Sequence, residues 1–169
     1  MKPRHRFSPR KESSSELAVR QFVRAWGLFH ERMRPYFARF GISGAQWGVL
    51  RTLQRAEEAS RPPLRLTDVG ERLLVRPPSV TGVVDLLERK GLVLRRPAPS
   101  DSRAKEVVLT SAGRRLVGRV LRHHPAQLRS ILSGFTESEA RQLQRWMKRM
   151  ADHLEDLGPR DGTRSIGAR

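Results

Sequence analysis

The sequence predicts a mainly α-helical domain that carries a small two-stranded β-hairpin. Apolar side chains recur at steps of three and four along several segments, which is the spacing of one helix face. Residues 92–96 and 106–110 are the exceptions, because they read as two short strands bounded by turn residues. The chain has 169 residues, of which 37% are hydrophobic, and a composition of this kind suits about one domain.

The charge of the chain is strongly positive, with 34 basic and 17 acidic residues and a formal net charge of +17. Residues 1–13 contribute +4 and residues 158–169 contribute +2, so the body between them retains +11. A body with this charge is suited to binding a polyanion, and an anionic membrane surface is the alternative binding partner. The ends, 1–14 and 158–169, have too few apolar residues to order themselves, so we expect disordered tails around one domain at 15–157.

Several classes of protein are excluded by what the sequence lacks. The absence of cysteine excludes disulfides and thiolate chemistry, and no uncharged run approaches the roughly 20 residues of a membrane span. The N-terminus lacks the apolar stretch of a secretory signal, so a cytoplasmic protein without membrane contact is expected. The histidines lack metal-ligand spacing, and no phosphate loop or nucleophile elbow occurs. We therefore predict no metal, no cofactor and no enzyme activity.

The first helix is predicted over about residues 15–40, and a second helix follows it. The first carries an apolar stripe formed by Phe22, Trp26, Phe29, Met33, Tyr36 and Phe40. Pro35 is expected to kink or split this helix. Ser43 and Gln46 fit a capping box that starts the second helix, which is expected to end near Glu58.

Two shorter helices are predicted next. Residues 64–66 alternate like a small strand that leads to Thr67, the expected N-cap of a third helix ending near Leu74. Residues 76–78, Arg-Pro-Pro, are expected to open the fourth helix, because proline is tolerated in a first turn. Gly91 marks the end of that helix, since glycine is the usual C-cap residue.

The hairpin follows the fourth helix directly. Its strands, 92–96 and 106–110, are joined by residues 97–104, a turn-rich stretch longer than a tight hairpin. A short helix, a turn, a second helix and a hairpin form the element order of a winged helix-turn-helix. The second helix of such a unit enters a DNA major groove, so a DNA-binding unit is expected at about residues 64–110.

The fifth and sixth helices are predicted over residues 111–135 and 136–157. Thr110 is the expected cap of the fifth, and Thr136 with Glu139 forms a capping box for the sixth. The apolar stripes at the two ends of the chain exceed what a small winged unit can cover. We therefore expect a helical dimerisation region formed by the N- and C-terminal helices, at about 15–40 and 111–157.

The fourth helix is the expected DNA-reading helix. Its buried face is predicted to consist of Val80, Val83, Val84 and Leu87, and its outward positions are Pro78, Gly82, Asp85 and Arg89. Ser79 and Thr81 lie near the N-terminal end, where amide donors and the positive end of the helix favour phosphates and base edges. The alternative interpretation is that both residues carry ordinary solvent-facing hydroxyls.

Several spaced motifs together resemble the MarR family of winged-helix transcription regulators. The motifs are Ile42–Leu50, Ser79–Leu92, Arg95–Pro97, Asp101–Arg103 and Val108–Gly113, within an element order that matches over about residues 15–157. The resemblance implies a homodimer whose first, fifth and sixth helices interlock while two winged units address a near-palindromic operator. It also implies a repressor that is released by a small aromatic or anionic effector.

The predicted DNA-contacting residues combine the fourth helix with the hairpin. They are Arg76, Pro78, Ser79, Thr81, Gly82, Arg89, Arg96, Asp101, Arg103 and Lys105. By the resemblance, Asp101 holds the wing and Arg103 reaches the minor groove, although a solvated surface ion pair is the alternative. Relatives often have a basic side chain where this chain has Gly82. We therefore expect Gly82 to let the helix backbone approach the DNA closely, and the long side chain of Arg76 to make the contact instead.

An effector site is predicted on the first two helices, between which the family often has its pocket. The candidate residues are Trp26, His30, Trp47 and Arg51, and core packing is the alternative role of the tryptophans. The predicted function is sequence-specific regulation of transcription on double-stranded DNA. A non-specific architectural DNA-binding protein is the alternative, which the charge of +17 also permits, and a membrane-surface or protein-interaction module is a further one.

Overall fold

The computed structural model describes residues 12–73, 79–98 and 101–157, with the side chains of 101–104 left out. The helices are α1 Ser14–Ala38, α2 Gly44–Glu58, α3 Leu66–Arg72, α4 Val80–Arg89, α5 Ser111–Ile131 and α6 Glu137–Asp156. The strands are β1 Leu64–Arg65, β2 Val93–Ala98 and β3 Asp101–Leu109. The mainly helical fold with a small antiparallel wing is thereby confirmed. The predicted tails lie outside the described residues, except for residues 12–14.

Side-chain caps begin the long helices, as the sequence predicts. Ser43 accepts from the backbone of Gln46 at 3.2 Å, and Thr136 accepts from the backbone of Glu139 at 3.3 Å, each within a reciprocal capping box. Thr110 caps α5 by accepting from the backbone N–H of Gly113 at 3.0 Å. Of the two effects expected of Pro35, a kink or a split, the split does not occur, because α1 continues through it to Ala38.

The start of α3 differs from the prediction, because Arg65 rather than Thr67 is its N-cap residue. Arg65 is still extended and pairs with Glu106 of β3, so the strand passes into the helix without a linker. The cap is supplied by Asp68, whose carboxylate accepts from the backbone N–H of Arg65 at 2.9 Å. Thr67 therefore lies inside the first turn of α3.

The wing is a three-stranded antiparallel sheet in the order β1-β3-β2, so the predicted two-stranded hairpin gains β1 as a third strand. The hairpin strands are also longer than predicted. Val93 pairs with Leu109, and the ladder continues to Pro97 opposite Lys105 before the register shifts at Ala98. Residues 97–98 and 101–104 are therefore strand rather than turn, and Pro97 is tolerated because β2 is an edge strand of the sheet.

The hydrophobic core lies between the helices and the sheet of residues 1–127, the first of two compact units of the chain. Fully buried members come from six elements and are Val49, Leu50, Val69, Val84, Leu87, Val93, Val107, Leu109, Val117 and Val120. Val84 and Leu87 anchor α4, whereas Val80 and Val83 are half-buried. The predicted inner face of the fourth helix is confirmed, and the face that carries Thr81 and Arg89 is left outward.

Two helices expose apolar side chains. In α1 only Met33, Tyr36 and Phe37 are buried, whereas Phe22 and Trp26 are 42% and 40% exposed. In α6, which belongs to the second unit, no residue is buried. Its exposed apolar residues include Trp146, Met147, Met150 and Leu154. Among the described residues, no helix is long and apolar enough to cross a membrane.

Candidate DNA-binding surface

The N-terminal turn of α4 is exposed and lacks long side chains. The Ser79 hydroxyl accepts from the backbone N–H of Gly82 at 3.0 Å, so Ser79 is the N-cap residue and its O–H remains free to donate. Thr81 is exposed beside it. A Cβ on Gly82 would lie 3.4 Å from the Ser79 oxygen, so the absence of a side chain keeps this turn open. Arg76 and Pro78 lie outside the described residues.

Arg95 of β2 clamps α4 to the wing. Its guanidinium contacts Asp85 Oδ1 and Glu88 Oε2 at 2.5 Å each, and its backbone N–H donates to Glu88 Oε1 at 2.9 Å. The Arg95 side chain is only 18% exposed. The hydrogen bond from the Arg95 backbone lowers the pKa of Glu88, so this carboxylate stays ionised and bound to the guanidinium. The clamp therefore fixes the orientation of α4 relative to the wing, and its positive charge offsets the negative charges of the two carboxylates on α4.

This clamp was not predicted, because Arg95 entered the sequence analysis only as part of the Arg95–Pro97 motif. The available signal was the spacing of Asp85 and Glu88, which places two acids on one side of a helix just before a basic strand.

The other predicted contact residues occupy the far end of α4 and the hairpin. Arg89 is exposed in the last turn of α4, and Lys105 is exposed opposite Pro97. Arg96 is half exposed and reaches across the hairpin to buried Glu106, with Nε 3.1 Å from Oε2. Asp101 and Arg103 belong to β3, but their side chains lie outside the described set. The surface thus joins the outer face of α4 to a basic hairpin.

The four predicted effector residues fall into two groups. Trp26 contacts His30 edge to face, with ring centroids 4.5 Å apart on the exposed part of α1. Trp47 instead stacks on Phe37 with centroids 5.8 Å apart. Arg51 hydrogen-bonds to Gln54 and Glu58 within α2. Within the part of the chain that the structure describes, no aromatic contact joins Trp26 or His30 to Trp47.

His124 of α5 is a polar group that the sequence did not single out for this region. Its ring lies 5.5 Å from that of Trp47 and 5.7 Å from that of Tyr36, measured between centroids. Its Nδ1 is buried without a hydrogen-bond partner among the described residues. Burial, followed by the positive charge of Arg51, lowers the pKa of His124, so a neutral imidazole faces this aromatic cluster. Only the tertiary packing of α1, α2 and α5 reveals the arrangement.

Known proteins resemble this chain across the same elements. Residues 40–104, from the end of α1 to the hairpin, match the MarR family. The helix-turn-helix transcriptional regulator PecS of Dickeya dadantii is 31% identical over 129 residues, which cover 75% of this chain and 75% of PecS. This chain belongs to the MarR family.

Two further comparisons extend the match. The homoprotocatechuate degradative operon repressor of Escherichia coli is 32% identical over 110 residues, covering 65% of this chain and 71% of that protein. Sco3205, a MarR family transcriptional regulator from Streptomyces coelicolor solved in complex with DNA, superposes with a TM-score of 0.71 at 25% identity. That comparison covers 92% of this chain and 96% of the other. This MarR-family protein is a DNA-binding transcriptional regulator.

Proposed function

We propose that this regulator represses transcription by binding a near-palindromic operator as a homodimer, and that a small aromatic or anionic effector releases it. The observation that carries the proposal is the presentation of α4. Its open N-terminal turn is exposed, its inner face is anchored by Val84 and Leu87, and Arg95 ties it to a basic wing. A helix held in this way can enter a major groove while the wing follows the neighbouring backbone.

The homodimer is supported by the apolar side chains that α1 and α6 expose. Exposed apolar residues on two long helices favour association with a second copy. We assign dimerisation to about residues 15–40 and 111–157 and DNA binding to about 64–110. Two recognition helices related by a two-fold axis match a palindrome whose half-sites are about one helical turn apart.

Repression and effector release are supported by different observations. The degradative-operon relative is named a repressor, and repression requires only that the bound protein block transcription. An effector is supported by the aromatic cluster of Trp47 and Phe37 beside His124 and Arg51. An aromatic ring can stack there and a polar or anionic group can meet the imidazole or the guanidinium.

Selection of bound duplexes from a random pool, combined with light scattering, tests the proposal. We expect a near-palindromic consensus that binds at least about 1,000-fold more tightly than random duplex. We also expect a free-protein mass close to twice the 19.3 kDa of the chain. A pool that yields no consensus would instead support the non-specific architectural protein, and a monomer that binds the consensus tightly would contradict the dimer.

The proposed wing contact predicts that Arg103→Ala weakens operator binding and lowers the salt dependence. Each wing would then release about one counterion fewer, so the slope of log affinity against log salt falls by roughly one per subunit. Arg103→Lys should keep the slope but lose affinity on sites with a narrow minor groove, because a guanidinium suits that groove better than an ammonium. Binding titrations at several salt concentrations measure both effects.

The matched control for this prediction is Arg129→Ala, which removes the same charge from the end of α5. We expect this variant to retain the wild-type slope. If Arg103→Ala and Arg129→Ala gave identical curves, Arg103 would contribute only to the general field of the protein.

A further inference from the structure

A groove of about 840 Å³ opens between the turn after α1, the end of α4 and the first half of α5. Its apolar lining includes Phe40, Leu92 and Leu116. The volume falls in the range of small-molecule sites, which is about 300 to 1,000 Å³. Gly118 also lines the groove, and a Cβ at this position would meet no atom within 4 Å. The groove therefore combines an apolar surface with room for an organic molecule.

The polar part of the lining is entirely cationic. Arg115, Arg119 and Arg122 follow one another at steps of four and three, so they form one row along the exposed face of α5. Lys90 is the fourth cation, and its Nζ donates to the Gly41 carbonyl oxygen at 2.6 Å. Among the residues that the structure describes, no carboxylate lines the groove. Among the ion pairs of the described residues, none involves any of these four cations.

The arginine row of the groove lies apart from the aromatic cluster and from the DNA-reading turn, on the first half of α5, within the range of about 111–157 that is assigned to dimerisation. His124 and the buried Val117 lie on the face of α5 that points away from the arginine row, whereas Phe40 lines the groove and packs on Tyr36 of the aromatic cluster, with ring centroids 5.4 Å apart. Lys90 follows the last turn of α4, whereas the proposed DNA-reading turn begins at Ser79. A helix of 10 residues spans about 15 Å, so the groove lies a helix length away from that turn.

We propose that this groove binds an organic anion with an apolar body, such as a carboxylate joined to a hydrocarbon chain. The apolar body packs on Phe40, Leu92 and Leu116, and the anionic group is held by the arginine row. Four cations without acidic partners favour an anion over a neutral ligand, because a bound anion supplies the opposite charge that no ion pair among the described residues gives them. The proposal requires neither the operator nor the effector proposed above.

Calorimetric titration of the full chain with decanoate tests the proposal, with acetate and decan-1-ol as probes of each half of the ligand. We expect decanoate to bind at least about tenfold more tightly than either probe. Arg119→Ala should weaken decanoate binding about tenfold, whereas Arg129→Ala removes the same charge outside the groove and should leave it unchanged. Gly118→Leu should abolish binding by filling the groove, and Gly118→Ala should preserve it.

Four outcomes would overturn the proposal. Equal losses in Arg119→Ala and Arg129→Ala would show that decanoate follows the general field of the chain. Equal binding of decanoate and decan-1-ol would show that the cations play no part. Retention of binding in Gly118→Leu, with an unchanged circular dichroism spectrum, would place the ligand elsewhere. Unchanged decanoate binding in Arg119→Ala, together with a lower salt slope on DNA, would assign the arginine row to DNA phosphates.

Discussion

Gly113→Ala is expected to destabilise the protein by about 3 kcal/mol, near the upper end of typical overpacking costs. A Cβ on Gly113 would lie 2.1 Å from the carbonyl oxygen of Leu92 and 3.3 Å from Leu109 Cδ2. Leu92 cannot retreat freely, because its carbonyl accepts from the backbone N–H of Thr110 at 3.1 Å. The Thr110 hydroxyl also donates to the Gly91 carbonyl oxygen at 2.7 Å. The methyl group therefore forces apart the junction between the recognition helix, the wing and α5.

Chemical denaturation of Gly113→Ala and Gly118→Ala measures this effect with a control from the same helix. Gly118 has open space where its Cβ would stand, so alanine there should stabilise α5 by up to about 1 kcal/mol. If the same glycine-to-alanine substitution lowers the stability at position 113 and raises it at position 118, the loss is due to the contact with Leu92 and not to helix propensity. Equal stabilities of the two variants would mean that the Leu92 backbone moves away from the added methyl group with little loss of folding free energy.

The starts of α2 and α6 were predictable from sequence because side-chain caps are local, whereas α4 begins at Val80 after its N-cap Ser79 and not at the predicted residues 76–78. Ser43 and Thr136 meet backbone groups three residues away, so the sequence contains both partners. The start of α3 was not predictable in this way, because strand pairing of Arg65 with Glu106 decides where the helix begins. The absence of a split at Pro35 has a related reason. Tertiary packing of Tyr36 and Phe37 favours continuing the helix past it.

The residues of the candidate site could be predicted where the order of helices and strands determines their positions. They could not be predicted where tertiary packing determines their contacts. The outward positions of α4 follow from the helical spacing of Val84 and Leu87, which are fully buried. The partners of Arg95 required knowledge of how β2 returns beside α4. The spacing of the apolar residues in α1 predicted a helix, but it did not show which of them pack within the described chain. Phe22 and Trp26 share that spacing with buried Met33 and Tyr36, yet they remain exposed.

Arg95→Ala is expected to lower DNA affinity more than tenfold on random duplex and by a larger factor on the operator, a change of about 1.4 kcal/mol or more. The substitution leaves Asp85 and Glu88 without the guanidinium that contacts them at 2.5 Å. Two uncompensated carboxylates on the DNA-reading helix then repel phosphates, and α4 loses its tie to β2. Loss of charge-assisted hydrogen bonds should also cost about 1.5 to 3 kcal/mol of folding free energy.

Arg114→Ala is the control for the loss of an ion pair as such. Arg114 binds Glu57 through two hydrogen bonds of 3.0 and 2.8 Å, but its side chain is 52% exposed. Exposed pairs contribute about 1 kcal/mol or less, so this variant should fold and bind DNA nearly as the wild type does. If Arg114→Ala matched Arg95→Ala in both measurements, the clamp would have no special role.

The triple variant of Arg95→Ala with Asp85→Asn and Glu88→Gln separates the two contributions of the clamp. It removes the repulsive charges without restoring the tie between α4 and β2. Affinity for random duplex should then return close to the wild-type value, because non-specific binding depends mainly on charge. Preference for the operator should remain reduced, because base readout requires α4 to be held in one orientation. Full recovery of both would mean that Arg95 acts only by neutralising the two acids, and recovery of neither would mean that it acts only by holding the helix.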